Sequence, residues 1–326
     1  MLAAIENAQS RVHLEVYAFR CDVVGIRFFK ALTDAAARGV TVRVTLDGWG
    51  SAWDGSSLVQ RLRRGGCRAE VYHPLRRLFS GSFRRNHRKL LLVDDEVAFL
   101  GGINLTSQYS GLEGWEDLGL ELRGPVPAWL GKRLRGERAA IPGGPVHIFL
   151  SGSGGGRRLR KRYLQAIQKA HRSIHMAHAY FLPDRGLLRS LTAASRRGVE
   201  VTLLLPGWSD VPFLRIATRS LYPTLQSAGI RILELHQNIL HSKSAVVDGG
   251  LALMGSFNLD PLSLANLEAL VEIHDPGICL EVEQWMEARG SEALPAPAHQ
   301  GRWNLFVGMC LRRIAGAVGR LLAMPR

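Results

Sequence analysis

One pattern of residues occurs twice in this chain with the same internal spacing: His-x-Lys, four residues, Asp, six residues, then Gly-[Gly or Ser]-x-Asn. The first copy is His87, Lys89, Asp94, Gly101, Gly102 and Asn104; the second is His241, Lys243, Asp248, Gly255, Ser256 and Asn258. A histidine and a lysine two apart on an extended strand leave the same face and can address one ligand. Residues 244–247 read as a buried strand, Asp248-Gly249-Gly250 as a turn and residues 251–254 as the returning strand. Any fold for this chain must therefore hold two such hairpins, each offering imidazole, ammonium and amide groups at one end.

The surrounding sequence repeats as well. Alternation predicts a strand over 12–19, helical spacing follows over 24–37 and stops at Gly39, and a second strand covers 40–46. A helix over 57–64 and a short strand over 68–72 complete a β-α-β-α-β rhythm, which favours a sheet with helices on its faces. The second half reads the same way, with a strand over 173–181, a helix ending near Arg197, Gly198, and a strand over 199–205. Ser10 and Tyr17 match Ser173 and Tyr180 at an offset of 163, Gly39 and Trp49 match Gly198 and Trp208 at 159, and His87 matches His241 at 154. The expectation is an α/β protein made by internal duplication, with lobes 1–150 and 151–300, a boundary in the glycine-rich stretch 151–156 and a tail over 301–326. Two such lobes related by a pseudo-two-fold axis would bring equivalent strands together and build one shared site, as an isologous dimer does.

Two histidines and two lysines supply what phosphodiester cleavage needs without a metal: a nucleophile, an acid for the leaving alkoxide and positive charge on the non-bridging oxygens. Lys89 and Lys243 are expected to bind phosphate oxygens as point charges, with Asn104, Asn258 and Ser256 as neutral donors. Asp94 and Asp248 stand among the candidate site residues, although their place in turns favours a structural role. No cofactor is implied. His171, His175 and His178 have metal-like spacing, but residues three apart on a strand face opposite ways, so a metal site there is not expected; matched to Glu15, His178 is expected to line the cleft.

The formal charge of +14, mostly arginine, calls for an anionic partner, either nucleic acid or an acidic membrane surface. Arg76, Arg77, Arg84, Arg85 and Arg88 cluster at the first motif, where they could attract anionic headgroups. The four cysteines show neither a metal nor a disulfide pattern, and no signal peptide or membrane-length apolar run is present. Residues 303–322 place Leu305, Met309, Ile314, Val318, Leu321 and Leu322 among Arg312, Arg313 and Arg320 behind Trp303, a composition for an interfacial helix or for a terminal helix packed on the protein.

The paired His-x-Lys motifs resemble the phospholipase D superfamily. The flanks Gly101-Gly-Ile-Asn with Glu121-Leu-Arg-Gly-Pro, and Asn258-Leu-Asp-Pro with Asn266-Leu-Glu-Ala, are similar to its bacterial cardiolipin synthase branch. The resemblance covers roughly residues 1–305 and implies two mixed sheets flanked by helices that share one central active site. It implies that His87 is the nucleophile, forming a phosphohistidine, and that His241 protonates the leaving group and then activates the acceptor. Asp117 and Glu268 match the positions that hydrogen-bond the histidines, with Glu116 a rival to Asp117. It further implies phosphatidylglycerol as the anionic phospholipid substrate, cardiolipin and glycerol as products, a peripheral place on the cytoplasmic side of a bacterial cell membrane, and an opening strand ahead of Met1. A hydrolytic phospholipase D, a nuclease of the same superfamily and a noncatalytic lipid-binding scaffold remain as alternatives. Nucleic acid is disfavoured because no aromatic stacking platform is evident, and a scaffold would not need two histidines beside two lysines.

Overall fold

The computed structural model describes residues 1–52, 54–74, 84–152, 155–297 and 301–322. Arg76, Arg77 and the side chains of Arg320, Leu321 and Leu322 lie outside what it describes. The first lobe runs α1 (Leu2–Glu6), β1 (Arg11–Val16), α2 (Val23–Ala37), β2 (Thr41–Asp47), α3 (Gly55–Arg64), β3 (Arg68–Tyr72), β4 (Leu90–Val93), β5 (Val97–Gly101), β6 (Gly119–Arg123) and α4 (Pro125–Leu134). The second runs β7 (Val146–Leu150), α5 (Arg157–Lys169), β8 (Ser173–His178), α6 (Arg185–Arg196), β9 (Glu200–Pro206), α7 (Pro212–Arg219), α8 (Tyr222–Gln226), β10 (Arg231–Leu235), β11 (Lys243–Val247), β12 (Leu251–Gly255), β13 (Ala269–Ile273), α9 (Pro276–Glu292) and β14 (Leu294–Pro295). A final helix, α10 (Arg302–Leu322), follows.

Each lobe is a mixed sheet, as expected. The first has the order β3-β2-β1-β4-β5-β6, and the second β14-β10-β9-β8-β11-β12-β13-β7. In both, a parallel unit built by β-α-β crossovers (β1 with β2, β8 with β9) is joined to the antiparallel hairpin that carries a motif (β4 and β5, β11 and β12). The sequence causes are local and duplicated. Asp22 and Asp184 cap α2 and α6 by accepting the N–H groups of Val24 and Gly25, and of Gly186 and Leu187. Gly39 and Gly198 both take φ of +93° just past the same helices, the left-handed conformation that ends a helix and returns the chain to the sheet.

Two features depart from the sequence reading. β7, expected as the end of the first lobe, pairs with β13 in the second sheet, so sheet membership divides the lobes in the 135–145 connection and not at 151–156. Its side chains agree with this: Ile148 and Val146 stand in register with the second lobe's Val271 and Ile273, within the apolar cluster that joins the lobes. The first strands also align at an offset of 162 and not 163. Asp94 accepts the N–H groups of Gln9, Ser10 and Arg11, whereas Asp248 accepts those of His171, Arg172 and Ser173. His178 is thus the counterpart of Val16, not of Glu15. Its ring is fully buried against Tyr163 and Phe181, and burial with the Lys243 charge holds its pKa down to about 3. It is a neutral core residue and does not line the cleft.

A third cluster of buried apolar side chains joins the lobes. Leu90, Leu92 and Leu100 of the first sheet meet Val246, Met254 and Val271 of the second, with α4 and α9 closing the sides. These alternate along β4 and β11 with the residues that face each lobe's own helices, so both motif strands are covered on two faces. The open ends of those strands, where His87, Lys89, His241 and Lys243 stand, come together at the junction.

Candidate active site

Main-chain pairing across the junction sets the two histidines. Asn86 bridges Leu267, and the His87 N–H donates to the Leu267 carbonyl at 2.8 Å. In the mirror arrangement Glu116 bridges Leu240, and the His241 N–H donates to the Glu116 carbonyl at 2.7 Å. The residue that follows each acceptor is a carboxylate, so the pairing delivers Glu268 to His87 and Asp117 to His241. Nδ1 of His87 lies 3.1 Å from both Glu268 oxygens and 3.2 Å from the Ser256 carbonyl. Nδ1 of His241 lies 2.7 Å from Asp117 Oδ2 and 3.1 Å from the Tyr109 hydroxyl. Each histidine is therefore held by the other lobe's carboxylate. Glu116, the rival, is engaged elsewhere, with Arg289 at 3.0 Å and Asn238 at 3.3 Å.

The partners fix the tautomer of His87. Every group at its Nδ1 is an acceptor, so Nδ1 carries the hydrogen and Nε2 keeps a lone pair. Burial, only partly offset by Glu268 and reinforced by Lys89 and Lys243, lowers its pKa and favours that neutral, nucleophilic form. Burial also holds His241 well below the ordinary histidine range, together with the charges of Lys243, Lys89 and His87. Burial raises the Asp117 carboxyl to about 6 against the pull of Lys243 and the Leu118 N–H.

The lysines are the most unusual groups here. Both are buried, and desolvation depresses both: Lys89 falls well below its ordinary value and Lys243 to about 8. Lys89 Nζ donates to the His87 carbonyl at 2.7 Å and sits 5.0 Å from the centre of the Tyr17 ring. Lys243 Nζ donates to the His241 carbonyl and lies 2.7 Å from His241 Nδ1. Two ammonium groups kept in a dry cleft, with their pKa values pulled down, are poised to gain from an arriving anion.

The remaining sequence candidates divide. Asn104 is buried between the Ala18 N–H, which donates to its Oδ1 at 3.1 Å, and the Tyr109 hydroxyl at 2.9 Å. Asn258 is buried, and its Oδ1 has no hydrogen-bond partner among the described residues. Ser256 donates to Glu268 Oε2 and accepts the Ala269 N–H at 3.0 Å, so it positions the carboxylate and is not a free donor for a ligand. Gly102 shows why the first copy lacks this hydroxyl: a Cβ there would stand 2.3 Å from both Asp117 oxygens. Asp94 and Asp248 are removed from the site. They sit at the opposite ends of β4 and β11, about 16 Å along the strand from the lysines, where each collects three backbone N–H groups in a turn with φ of +54°.

The arginine cluster also divides. Arg88 pairs with Glu15 at 3.3 Å and donates to the Ser151 carbonyl, and Arg84 donates to the Ala265 carbonyl at 3.1 Å, so both tie the lobes together. Arg85 instead stacks on the half-exposed Trp49 at the mouth. Sequence reasoning missed the aromatic wall: Tyr17 edges onto His87 at 4.8 Å, while Tyr109, Trp115 and Tyr180 surround His241 at 5.5, 5.2 and 6.1 Å. It also missed Asp47, fully buried and accepting the Asn86 N–H at 2.7 Å, and Glu15, which accepts from the Asn86 amide at 2.9 Å. Only the recurrence of Tyr17 and Tyr180 hinted at this wall. Among the described residues no group of three or more His, Cys, Asp or Glu is arranged to hold a metal ion.

A family model described as cardiolipin synthase, phospholipase D-like domain, matches residues 1–122 and 163–289. Cardiolipin synthase B of Shigella flexneri is 35% identical over 299 residues, spanning 83% of this chain and 72% of that protein, and that of Escherichia coli K12 gives the same figures. The cardiolipin synthase of Geobacillus kaustophilus is 34% identical over 286 residues, spanning 80% of this chain and 57% of that one. Among solved structures, phosphatidylserine synthase from Haemophilus influenzae Rd KW20 superposes with a TM-score of 0.72 over 100% of this chain and 92% of its own, at 14% identity, a likeness of fold alone.

Proposed function

The chain belongs to the cardiolipin synthase, phospholipase D-like domain family, and from that premise we propose that it is a phosphatidyl transferase that joins two phosphatidylglycerols into cardiolipin and releases glycerol. The observation that carries the reading is the crosswise pairing of two buried histidines with two buried carboxylates beside two desolvated lysines. Lys89 and Lys243 bind the non-bridging oxygens of the donor. His87 Nε2 attacks phosphorus, forming the N–P bond as the P–O bond to the glycerol headgroup breaks. The leaving alkoxide takes its proton from His241. Before substrate binds, His241 is kept neutral by burial and by the neighbouring Lys243 and Lys89 cations; a bound phosphate supplies the negative charge that lets it hold that proton. The hydroxyl of a second phosphatidylglycerol then gives its proton back to His241, attacks phosphorus and frees His87.

A surface at the membrane agrees with this substrate. No helix among the described residues is long and apolar enough to cross a bilayer. α10 lies along α7, its inward glycines close-packed: a Cβ at Gly308 would meet the Ile216 carbonyl at 2.7 Å, and one at Gly319 would meet Pro261 at 2.3 Å. Its other face exposes Trp303, Phe306, Ile314 and Val318. Both sequence readings of the tail therefore hold together: the helix packs on the protein and offers an apolar face outward. A peripheral position on the cytoplasmic leaflet, whose anionic lipids suit the basic chain, is the proposed location.

The deciding experiment incubates the purified chain with labelled phosphatidylglycerol in vesicles and separates the products. Cardiolipin and glycerol are expected. Phosphatidic acid as nearly the sole lipid product would replace the transferase with a hydrolytic phospholipase D.

A further inference from the structure

A second cavity, of about 1110 Å³, lies between α5, α6, α10 and the loop that follows the second motif, and no motif histidine or lysine lines it. One part of its wall is cationic, with Arg157, Arg160, Arg185, Arg312 and Arg313. Another is apolar, with Leu182, Leu187, Leu188, Pro261 and Leu264. Its carboxylates are already engaged. Asp184 takes Arg160 in a bidentate pair, and Asp260 accepts the Leu262 and Ser263 N–H groups of its own loop. Among the described residues no carboxylate pairs with Arg185, Arg312 or Arg313, and Arg312 is pulled below the ordinary arginine range by burial and by its two arginine neighbours. Arg312 is partly buried beside this apolar wall while Arg185 and Arg313 stand exposed at its rim, so an anion that brought its own apolar chain would meet three guanidinium groups at its head, relieve the desolvation of Arg312 and cover the apolar wall.

The position of the cavity indicates where such a molecule comes from. α10 forms one wall with Arg312, Arg313, Gly316 and Gly319, and its solvent side exposes Trp303, Phe306, Met309 and Ile314, the first two with rings 5.9 Å apart. Phe213 and Ile216 of the adjoining α7 are exposed as well. A helix that shows aromatic and aliphatic groups outward, with Arg313 exposed beside them and Arg312 partly buried at the cavity, suits the boundary of a bilayer.

We propose that this cavity binds one anionic phospholipid drawn from the membrane, its phosphate on Arg185, Arg312 and Arg313 and an acyl chain against Leu187, Leu188 and Leu264, as a site separate from the catalytic histidines. The site rests on the proposed function only in taking the same lipid class. Because its floor is the loop running from Phe257 and Asn258 to Leu264, occupancy fixes α10 against the segment that carries the second motif's asparagine. The chain would then hold a resident lipid that is not turned over.

The test uses the full-length His87→Ala chain, so that no probe is consumed, on phosphatidylcholine vesicles carrying a photoactivatable phosphatidylglycerol, with labelled peptides mapped by mass spectrometry. Label is expected on residues 182–188 and 312–319 as well as in the cleft. Arg185→Ala with Arg312→Ala should cut the 182–188 and 312–319 label by about thirtyfold, the loss expected for removing two cations that face an anionic headgroup, while cleft label stays. Leu188→Trp, which fills the apolar wall and keeps every arginine, should do the same and guards against a folding defect in the double variant. Label confined to the cleft overturns the site, as does equal label from a photoactivatable phosphatidylcholine. Loss of label to millimolar inorganic phosphate would show a phosphate site and sink the lipid assignment. A chain that labels here yet makes only phosphatidic acid keeps this site and loses the transferase reading.

Discussion

Glu268 of the second lobe holds His87 of the first, with both of its oxygens 3.1 Å from Nδ1. Since the Ser256 carbonyl is the only other partner of that nitrogen among the described residues, the carboxylate decides which nitrogen faces the phosphorus, and the functional tests start there.

With a nitrophenyl phosphodiester, whose leaving group needs no proton, His241→Ala and Asp117→Asn should still form the phosphoenzyme, while His87→Ala should form none. Glu268→Gln should slow its formation by roughly 10²-fold, within the range for losing one acid-base or orienting group. Acid-quenched labelling reads this directly. Normal labelling of the His87 variant would move the nucleophile to His241.

With phosphatidylglycerol, which releases a poor leaving group, His241→Ala and Asp117→Asn should each lower turnover by about 10²–10⁴-fold. Equal losses on both substrates would mean that His241 does not act as the acid.

Gly102→Ala tests the missing hydroxyl of the first copy. Its Cβ would stand 2.3 Å from both Asp117 oxygens, so the carboxylate must leave His241 or the strand must shift. Turnover should fall at least about tenfold with little loss of thermal stability, and Asp117→Asn should add little further loss in the Gly102→Ala background, which a double-mutant cycle measures. Additive losses would show that Gly102 acts elsewhere.

The pH profile of kcat/KM reports the free enzyme. Below about 6 Asp117 takes a proton and stops orienting His241 as an anion, so activity falls on the acid side. Above about 8 Lys243 loses its proton and the phosphate loses a cation, so activity falls on the alkaline side. Lys243→Arg, which stays charged, should move the alkaline limb upward even where the peak rate is lower. Because binding an anion restores the lysine proton, ligand binding near pH 8 should take up protons, visible as a dependence of calorimetric heat on the buffer's ionisation enthalpy.

The exposed face of α10 can be altered without disturbing its packing. Trp303→Ser with Phe306→Ser should weaken vesicle binding and lower the ratio of cardiolipin to phosphatidic acid, because acceptor headgroups are then less concentrated at the cleft. Phosphoenzyme formation on a soluble substrate should be kept. Unchanged vesicle binding would leave this face without a membrane role.

Much of this was legible in the chain because the duplication prints the same residues twice. The doubled motif located both histidines and lysines, and repeated glycines located the crossovers. What spacing could not carry is three-dimensional. Glu268 is 27 residues beyond His241 and 181 from His87, and nothing in a linear reading says that it serves the distant one; the Asn86–Leu267 and Glu116–Leu240 bridges decide that. The one-residue slip in the first strands was hidden because Tyr17 and Tyr180 are the same residue type at positions that are not equivalent. β7 joins the second sheet in register with Val271 and Ile273, a pairing that apolar alternation in five residues does not specify.

The crossed carboxylates also bear on ancestry. A single ancestral lobe could reach the same arrangement only as a symmetric pair of identical chains, each histidine steadied by its neighbour's acid, and there both histidines would have to serve equally well as attacker and proton donor. Joining the two copies in one gene lifts that constraint. One side can then keep a glutamate braced by Ser256 and the other an aspartate in the space left by Gly102, and division of labour between two histidines becomes something that selection can reach one substitution at a time.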